Sequence, residues 1–214
     1  MKTWVHSPSL VRKIAQSFWM VCIAICSLNA YAQSEVGPHQ VVEETTGKVL
    51  ALLESEVDPV AKPDEFIEKM SAILDPVIAF NYIAKGVMGV HAKNSSQEQI
   101  AQFAQAFKKG LVNTYGQGVS GFKGLNITVL PPQKPIGDAR RATVVQEIRS
   151  SSGVNKVSYT MAKNRQNQWK LINLILNGIN FGQTFRGQFA AAVEKNNGDV
   201  AKTIADWEKG VSAQ

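Results

Sequence analysis

The spacing of apolar residues changes late in the chain, and this change organises the rest of the sequence. Trp169–Leu176 is an almost uninterrupted apolar run, which is typical of a strand covered on both faces. An Asn-Gly pair at 177–178 breaks the run. Phe181, Phe185 and Phe189 then recur every four residues, which places three rings on one face of a helix. The pattern predicts a buried strand followed by a helix that faces either a filled core or an apolar cavity.

Helical spacing dominates the first half of the chain. The predicted helices cover residues 39–54, 66–74, 77–87 and 96–115, and Pro63 starts the second of them. The fourth carries the clearest stripe, formed by Ile100, Phe103, Phe107, Leu111 and Tyr115. Polar Gln, Lys and Asn side chains occupy the opposite face, so this helix covers a core or a cavity with one side only.

The second half changes to the alternation of strands. Strands are expected over 123–130, 141–149, 154–163 and 168–176, and helices over 181–195 and 200–209. The connections between the strands are short, which predicts an antiparallel sheet of hairpins. Helices, then strands, then helices indicate an α+β domain with helices packed on an antiparallel sheet.

Residues 1–32 have the pattern of a secretory signal peptide. Lys2, Arg12 and Lys13 lie on the N-terminal side of an apolar stretch that is short for a membrane span, and Ala-Tyr-Ala at 30–32 fits the cleavage site. We therefore expect a cleaved signal at 1–32 and a single domain at 33–214. Both cysteines precede residue 33, so the mature protein would have no disulfide and would depend on its core alone.

Charge argues against nucleic acid as a partner. The whole chain has a net charge of +6, but three of its 23 basic residues and none of its 17 acidic residues lie in the predicted signal. Cleavage of that segment would therefore remove half of the net positive charge and leave +3. This removes the main support for nucleic-acid binding. The remaining mild positive charge fits brief contact with anionic lipid or with an acidic partner.

Motifs for catalysis and metal binding are weak. His39 and His91 are the histidines that follow the predicted signal and they lie far apart, so we expect no metal site and no cofactor. Residues 116–121 match the Gly-x-Gly-x-x-Gly pattern, but they follow a helix and precede a strand, the reverse of the order that pyrophosphate binding needs. Ser120 lacks the Gly-x-Ser-x-Gly frame of a nucleophile. Carboxylates mostly fall on polar helix faces, which is typical of a solvated surface.

Aromatic side chains cluster on the inward faces of two predicted helices and two predicted strands. They are Phe103, Phe107, Tyr115, Tyr159, Trp169, Phe181, Phe185 and Phe189, and Met161 accompanies them. Periodicity alone does not distinguish a filled core from a hollow one. Arg186, between two of these rings, has two interpretations: an ion pair or helix-capping hydrogen bond, or a contact with a ligand phosphate.

The order of these landmarks resembles the periplasmic phospholipid-shuttle proteins of the MlaC type, also called toluene-tolerance auxiliary proteins. The resemblance covers about residues 40–210. Its motifs are Phe-Asn-Tyr-Ile-Ala-Lys-Gly-Val-Met-Gly at 80–89, the Gln-x-x-x-Phe-x-x-x-Phe-x-x-x-Leu-x-x-x-Tyr frame within 98–115, Trp-Lys-Leu-Ile-Asn-Leu-Ile-Leu-Asn-Gly-Ile at 169–179, and Phe-Arg-Gly-Gln-Phe at 185–189. The chain departs from the family pattern at Ala79, Asn173 and Asn177, where the family usually has acidic residues.

The resemblance implies a highly twisted antiparallel sheet, backed by helices, that encloses an apolar lipid cavity. It also implies a periplasmic carrier that moves glycerophospholipid between an outer-membrane lipoprotein complex and an inner-membrane ABC-transporter complex, keeps the outer membrane asymmetric, and touches membranes transiently. By the faces they occupy, the expected lipid-binding residues are Phe103, Phe107, Leu111, Val144, Ile148, Tyr159, Met161, Leu174, Leu176, Ile179, Phe185 and Phe189, with Arg186 as a head-group contact.

Two other classes of function remain open at this stage. The first is a small exported enzyme, an isomerase or hydrolase of hydrophobic substrates, which would need a polar pair inside the cavity. The candidates for such a pair are Tyr159, Glu147 and Asn173. The second is a structural interaction module of the cell envelope. Bound phospholipid would favour the carrier, whereas an empty protein with turnover would favour the enzyme.

Overall fold

Proline or a reciprocal polar cap starts three of the four helices in the first half of the chain. The computed structural model describes residues 36–59, 61–115, 121 and 123–210; the predicted signal and most of the glycine-rich segment at 116–121 lie outside them. Pro38 and Pro63 each begin a helix, where a missing backbone N–H costs nothing. Before the fourth helix, the Ser96 hydroxyl accepts from the Gln99 N–H while Oε1 of Gln99 accepts from the Ser96 N–H. This pair is a capping box, so the polar segment predicted to start this helix does so.

The described residues contain six α-helices and a five-stranded sheet. The helices are α1 (Pro38–Glu54), α2 (Pro63–Leu74), α3 (Phe80–Met88), α4 (Gln97–Tyr115), α5 (Phe181–Lys195) and α6 (Val200–Gly210), with a 3-10 turn at Gly89–Lys93. The strands are β1 (Asn126–Val129), β2 (Arg141–Ser150), β3 (Gly153–Lys163), β4 (Trp169–Leu176) and β5 (Ile179–Asn180). The strands pair in sequence order and all pairs are antiparallel. The α+β fold and the meander of hairpins are therefore confirmed, and the short β5 is an addition.

The third helix starts later than predicted. The prediction placed it at 77–87, but α3 begins at Phe80. The backbone before it pairs with β4 instead: the Leu171 N–H donates to the Val77 carbonyl at 2.8 Å, and the Ala79 N–H donates to the Leu171 carbonyl at 3.0 Å. These bonds use main-chain groups that a helix would have needed. The segment therefore extends the edge of the sheet.

A β-bulge changes the phase of β4. Val157 and Tyr159 of β3 lie opposite Leu176 and Leu174, but the register shifts after Thr160, and Met161 lies opposite Leu171. The extra residue in β4 places Leu171 and Leu174 on the same face of the sheet although their numbers differ in parity. The prediction that β4 is buried on both faces was wrong: all of its residues after Trp169 are only partly buried, and several line an open cavity.

Three apolar clusters hold the fold together. The largest joins α3, α4, α5 and α6 around Phe103, Phe189 and Trp207. A second joins α1, α2 and α4 around Phe66. A third places Val42 of α1 against the face of β2, β3 and β4. These clusters are separate, and the space between them is the candidate site.

Candidate functional site

A cavity of about 470 Å³ lies between the helices and the sheet. Its walls come from α1, α2, α3, α4 and α5 and from strands β1 to β4. The helical side chains that line it include Val42, Val49, Leu50, Met70, Leu74, Phe80, Ile83, Phe107, Leu111, Val112, Phe181 and Phe185. The sheet side includes Ile127, Ile148, Val157, Tyr159, Met161, Leu171, Leu174 and Leu176. The size is within the usual range for pockets that bury a small ligand.

The lining is apolar. No charged side chain is among the described residues that line the cavity. Its polar members bond within the protein: the Thr45 hydroxyl donates to the Val41 carbonyl at 2.7 Å, and Oδ1 of Asn173 accepts from the Gly182 N–H at 3.2 Å. A cavity of this composition favours hydrocarbon over ions or sugars, because a buried polar group without a hydrogen-bonding partner costs free energy.

One hydrogen-bonded chain crosses from the sheet to α1 at the cavity wall. The Tyr159 hydroxyl donates to Oε1 of Gln146 at 2.7 Å, and Nε2 of Gln146 donates to Oγ1 of Thr46 at 2.8 Å. Gln146 is only 3% exposed. Loss of solvent raises the pKa of Tyr159 to about 12, so the phenol is neutral at physiological pH. We call these three side chains the polar triad.

Eight of the twelve predicted lipid-binding residues line the cavity together. They are Phe107, Leu111, Ile148, Tyr159, Met161, Leu174, Leu176 and Phe185. Ring contacts connect part of this wall to the solid core, because Phe107 packs edge-on against Phe185 with centroids 5.0 Å apart. Whether these residues bind lipid stays a prediction.

The other four predicted residues lie elsewhere. Phe103 and Phe189 are fully buried in the largest cluster, where their ring centroids are 4.6 Å apart. Val144 is packed with Val42 in the third cluster. Ile179 is 60% exposed in the two-residue strand β5. The structure therefore does not place these four among the lining residues.

Arg186 contacts the end of α3. Its Nε donates to the Gly86 carbonyl at 2.8 Å, and its aliphatic part runs beside Gly89. Gly89 has a φ of +59°, a conformation that favours glycine. This bond corresponds to the first of the two interpretations of Arg186, a helix-capping hydrogen bond. It satisfies a carbonyl in the last turn of α3. A head-group contact for Arg186 stays a prediction.

Sequence reasoning missed the part of the lining that comes from α1, α2 and the segment before α3. Val49, Leu50, Met70 and Ile78 are examples. Their helical spacing was visible in the sequence, but it indicates only an inward face, and a face toward a cavity has the same pattern as a face toward a core. Leu171 was missed for a different reason, because the bulge in β4 reverses the alternation there.

The three departures from the family pattern take part in neutral hydrogen bonds. Ala79 uses its backbone N–H to pair with β4. Asn173 caps the first turn of α5 through the Gly182 N–H. Asn177 has a φ of +48°, and its Oδ1 accepts from the Lys156 N–H at 2.8 Å. Asn is among the few residues that adopt this left-handed conformation readily, which gives a local reason for its presence.

Of the three candidates for the polar pair of an enzyme, the cavity lining includes Tyr159 and Asn173 but not Glu147. Tyr159 faces the cavity, whereas Glu147 is the next residue to the cavity-lining Gln146 and, by strand alternation, points to the other face of the sheet. There Glu147 forms salt bridges with Arg149 and Lys156 at 2.6 and 3.6 Å. Asn173 serves the cap of α5.

A second depression of about 550 Å³ lies on the outside of α4. It is bounded by α2 and α6, and its lining includes Gln102, Gln105, Lys108 and Lys109. Amide and ammonium groups at the surface do not suit hydrocarbon, so the apolar cavity between the helices and the sheet is the better candidate site. Among the helices that the structure describes, none combines the length and apolar character needed to cross a bilayer.

Comparison with known proteins gives consistent results. The family model of the MlaC protein matches residues 43–209. The toluene tolerance protein ttg2D of Pseudomonas putida is 35% identical over 173 residues, which cover 79% of each chain. The solved structure of a phospholipid-binding protein from Ralstonia solanacearum, in complex with a phospholipid, matches with a TM-score of 0.72 at 17% identity, over 84% of this chain and 99% of that one. The structural match supports the fold, and the extent of the sequence matches shows that this chain belongs to the MlaC protein family.

Proposed function

We propose that this protein is a periplasmic carrier of glycerophospholipid that holds acyl chains in the apolar cavity. The observation that carries the proposal is the cavity itself, whose lining contains no charged side chain among the described residues. Membership of the MlaC family and the phospholipid in the related solved structure support it. The predicted signal peptide supports export to the periplasm.

The energetics suit a carrier without its own energy source. Each methylene removed from water contributes about 0.8 kcal/mol, so one chain of about 16 carbons contributes roughly 12 kcal/mol. A bilayer offers the same chain nearly the same free energy, so transfer between membrane and cavity is close to balanced. The phosphate would stay outside, because burying it without paired donors costs several kcal/mol. Direction would then come from the partners.

The partners we propose are those of the family resemblance. The carrier would exchange lipid with an outer-membrane lipoprotein complex and an inner-membrane ABC-transporter complex, and so keep the outer membrane asymmetric. Contact with either membrane would be transient. Arg186 is a candidate for the head group only if its guanidinium can bind phosphate while Nε keeps its bond to Gly86.

An enzyme is the less favoured function. Tyr159 is the one titratable side chain among the described residues of the lining, and its raised pKa of about 12 suits hydrogen bonding better than proton transfer near neutral pH. A carrier needs no reactive group, which agrees with a lining of mostly aliphatic and aromatic side chains.

Native mass spectrometry of protein purified without detergent tests the proposal. We expect bound phospholipid in the wild type. Leu174→Trp should reduce it, because the larger ring fills part of the cavity, whereas Ile175→Trp is the matched control because its side chain is not part of the lining. Circular dichroism should show that both variants fold. An empty wild-type protein, or equal lipid in the two variants, would contradict the proposal.

A further inference from the structure

The polar triad of Thr46, Gln146 and Tyr159 is an exception in an otherwise apolar wall. Among the described residues, Gln146 and Thr203 are the only polar ones that are buried. Thr203 bonds within the start of α6, where its hydroxyl donates to the Asp199 carbonyl at 2.7 Å. Gln146, in contrast, lies on the cavity wall between apolar neighbours. A valine or leucine would satisfy packing there without the cost of a buried amide.

The amide of Gln146 is held between two hydroxyls and has a further N–H donor that they do not use. A glutamine side chain has two N–H donors and an oxygen with two lone pairs. Tyr159 occupies one lone pair and Thr46 accepts from one N–H. The two partners lie on different elements, β3 and α1, and both are hydroxyls that can donate or accept, so either orientation of the amide uses one N–H and leaves the other over. Within the described part of the chain, the second N–H of Nε2 has no partner.

A neutral acceptor on the ligand fits this spare donor. One amide N–H cannot compensate the burial of a phosphate, which needs several donors or a cation. The acyl lipid of the proposed function carries an uncharged acceptor attached directly to its chains, the ester carbonyl. Burial of that carbonyl beside Gln146 would satisfy both groups, since a hydrogen bond between neutral partners is favourable when water is excluded.

Resting on the proposed carrier function, we propose that Gln146, positioned by Tyr159 and Thr46, donates a hydrogen bond to an ester carbonyl of the bound acyl lipid. The apolar wall then provides affinity for the chains, and Gln146 sets where along the cavity the ester end of a chain lies. The protein would therefore distinguish ester-linked lipid from ether-linked lipid, although both have the same head group and the same chains.

The test compares phosphatidylglycerol carrying two palmitoyl esters with the matching lipid whose chains are joined by ether bonds. Delipidated protein is offered both in equal amounts, and native mass spectrometry measures the ratio bound. The wild type should prefer the ester by about fivefold, the factor expected from one neutral hydrogen bond. Gln146→Leu should still bind the ether lipid but lose the preference. Thr143→Val, which removes a hydroxyl on β2 outside the cavity lining, should keep it.

Three results would overturn the inference. They are a wild-type ratio near one, a wild-type preference that persists in Gln146→Leu, and an equal loss of both lipids in that variant, which would mean that the amide only ties α1 to the sheet. If Gln146→Leu does not fold, Gln146→Met takes its place, and the wild-type ratio still decides. A wild type that binds neither lipid would contradict the carrier function itself, which is a distinguishable outcome.

Discussion

A phenol beside hydrocarbon loses a proton at higher pH than one in water, and Tyr159 makes this effect measurable. Its pKa is raised to about 12 in the folded protein, against about 10 in the unfolded chain. The unfolded state therefore releases this proton first as pH rises. The stabilising contribution is complete below pH 10 and is lost between about pH 10 and 12.

Urea unfolding at pH 9 and pH 11 tests this. Between these values we expect the wild type to lose about 1 kcal/mol more unfolding free energy than Tyr159→Phe, because only the wild type carries the shifted group. The other tyrosines are common to both proteins and cancel in the comparison. Equal losses in the two proteins would mean that Tyr159 is not shielded from solvent.

Gly182 shows how closely α5 approaches β4. A Cβ on Gly182 would lie 2.5 Å from Oδ1 of Asn173, which is shorter than real contacts allow. The same oxygen accepts from the Gly182 N–H and so caps the helix. The absence of a side chain at 182 is therefore a requirement of the cap.

Gly182→Ala should destabilise the protein by about 1 to 3 kcal/mol, because either the cap breaks or the helix shifts. In an Asn173→Ala background the same substitution should cost much less, since the obstructing oxygen is gone. Thermal unfolding of the wild type, the two single variants and the double variant gives the coupling free energy between positions 182 and 173. Additive effects would contradict the proposed close approach.

At the scale of the element, α4 combines two roles along one stripe. Phe103 is fully buried. The centroid of its ring lies 4.6 Å from that of Phe189 and 5.3 Å from that of Trp207. Two turns later, Leu111 is only partly buried and lines the cavity. One face of α4 therefore packs into the core at Phe103 and lines the cavity at Leu111.

This division predicts different costs of truncation. Phe103→Ala should destabilise the protein by about 3 to 5 kcal/mol, the range for a large buried ring, because it leaves a void among packed neighbours. Leu111→Ala should cost less than about 2 kcal/mol, because its side chain has fewer contacts to lose. Chemical unfolding of both delipidated variants measures the difference. Similar costs would indicate that the cavity is filled around Leu111.

The elements were predictable where a local rule governs them and not where tertiary pairing does. The stripe of α4 and the alternation of β2 and β3 gave these elements nearly to the residue. The start of α3 was misplaced because Val77 and Ala79 bond to Leu171, which lies far away in the sequence. The phase of β4 was likewise invisible, since a bulge depends on the partner strand.

At the scale of the whole molecule, the hollow arises because three separate clusters surround it. Phe107 and Phe185 belong to one cluster, Met70 to a second and Met161 to the third, yet all four line the cavity. Each side chain is buried on its cluster side, so its sequence pattern is that of a core residue. The inward-facing pattern was therefore enough to predict eight residues that line the site. It was not enough to decide whether the interior is filled or hollow.

A protein built around an apolar hollow should depend on its ligand for stability. A ligand that binds only the folded state stabilises it by about 2.7 kcal/mol at a free concentration one hundred times Kd. For a domain of this size, each kcal/mol corresponds to a shift of roughly 2 to 4 °C in the unfolding temperature.

We therefore expect delipidated protein to unfold several degrees below the lipid-loaded protein, and added phospholipid to restore the difference. Leu174→Trp should narrow this gap, because the ring both fills the hollow and excludes chains, whereas Ile175→Trp should keep it. Differential scanning calorimetry with and without lipid measures the shift in unfolding temperature for each of the three proteins. An unfolding temperature that does not respond to lipid would mean that the hollow is not where the chains bind, because binding to the folded state alone must raise its stability.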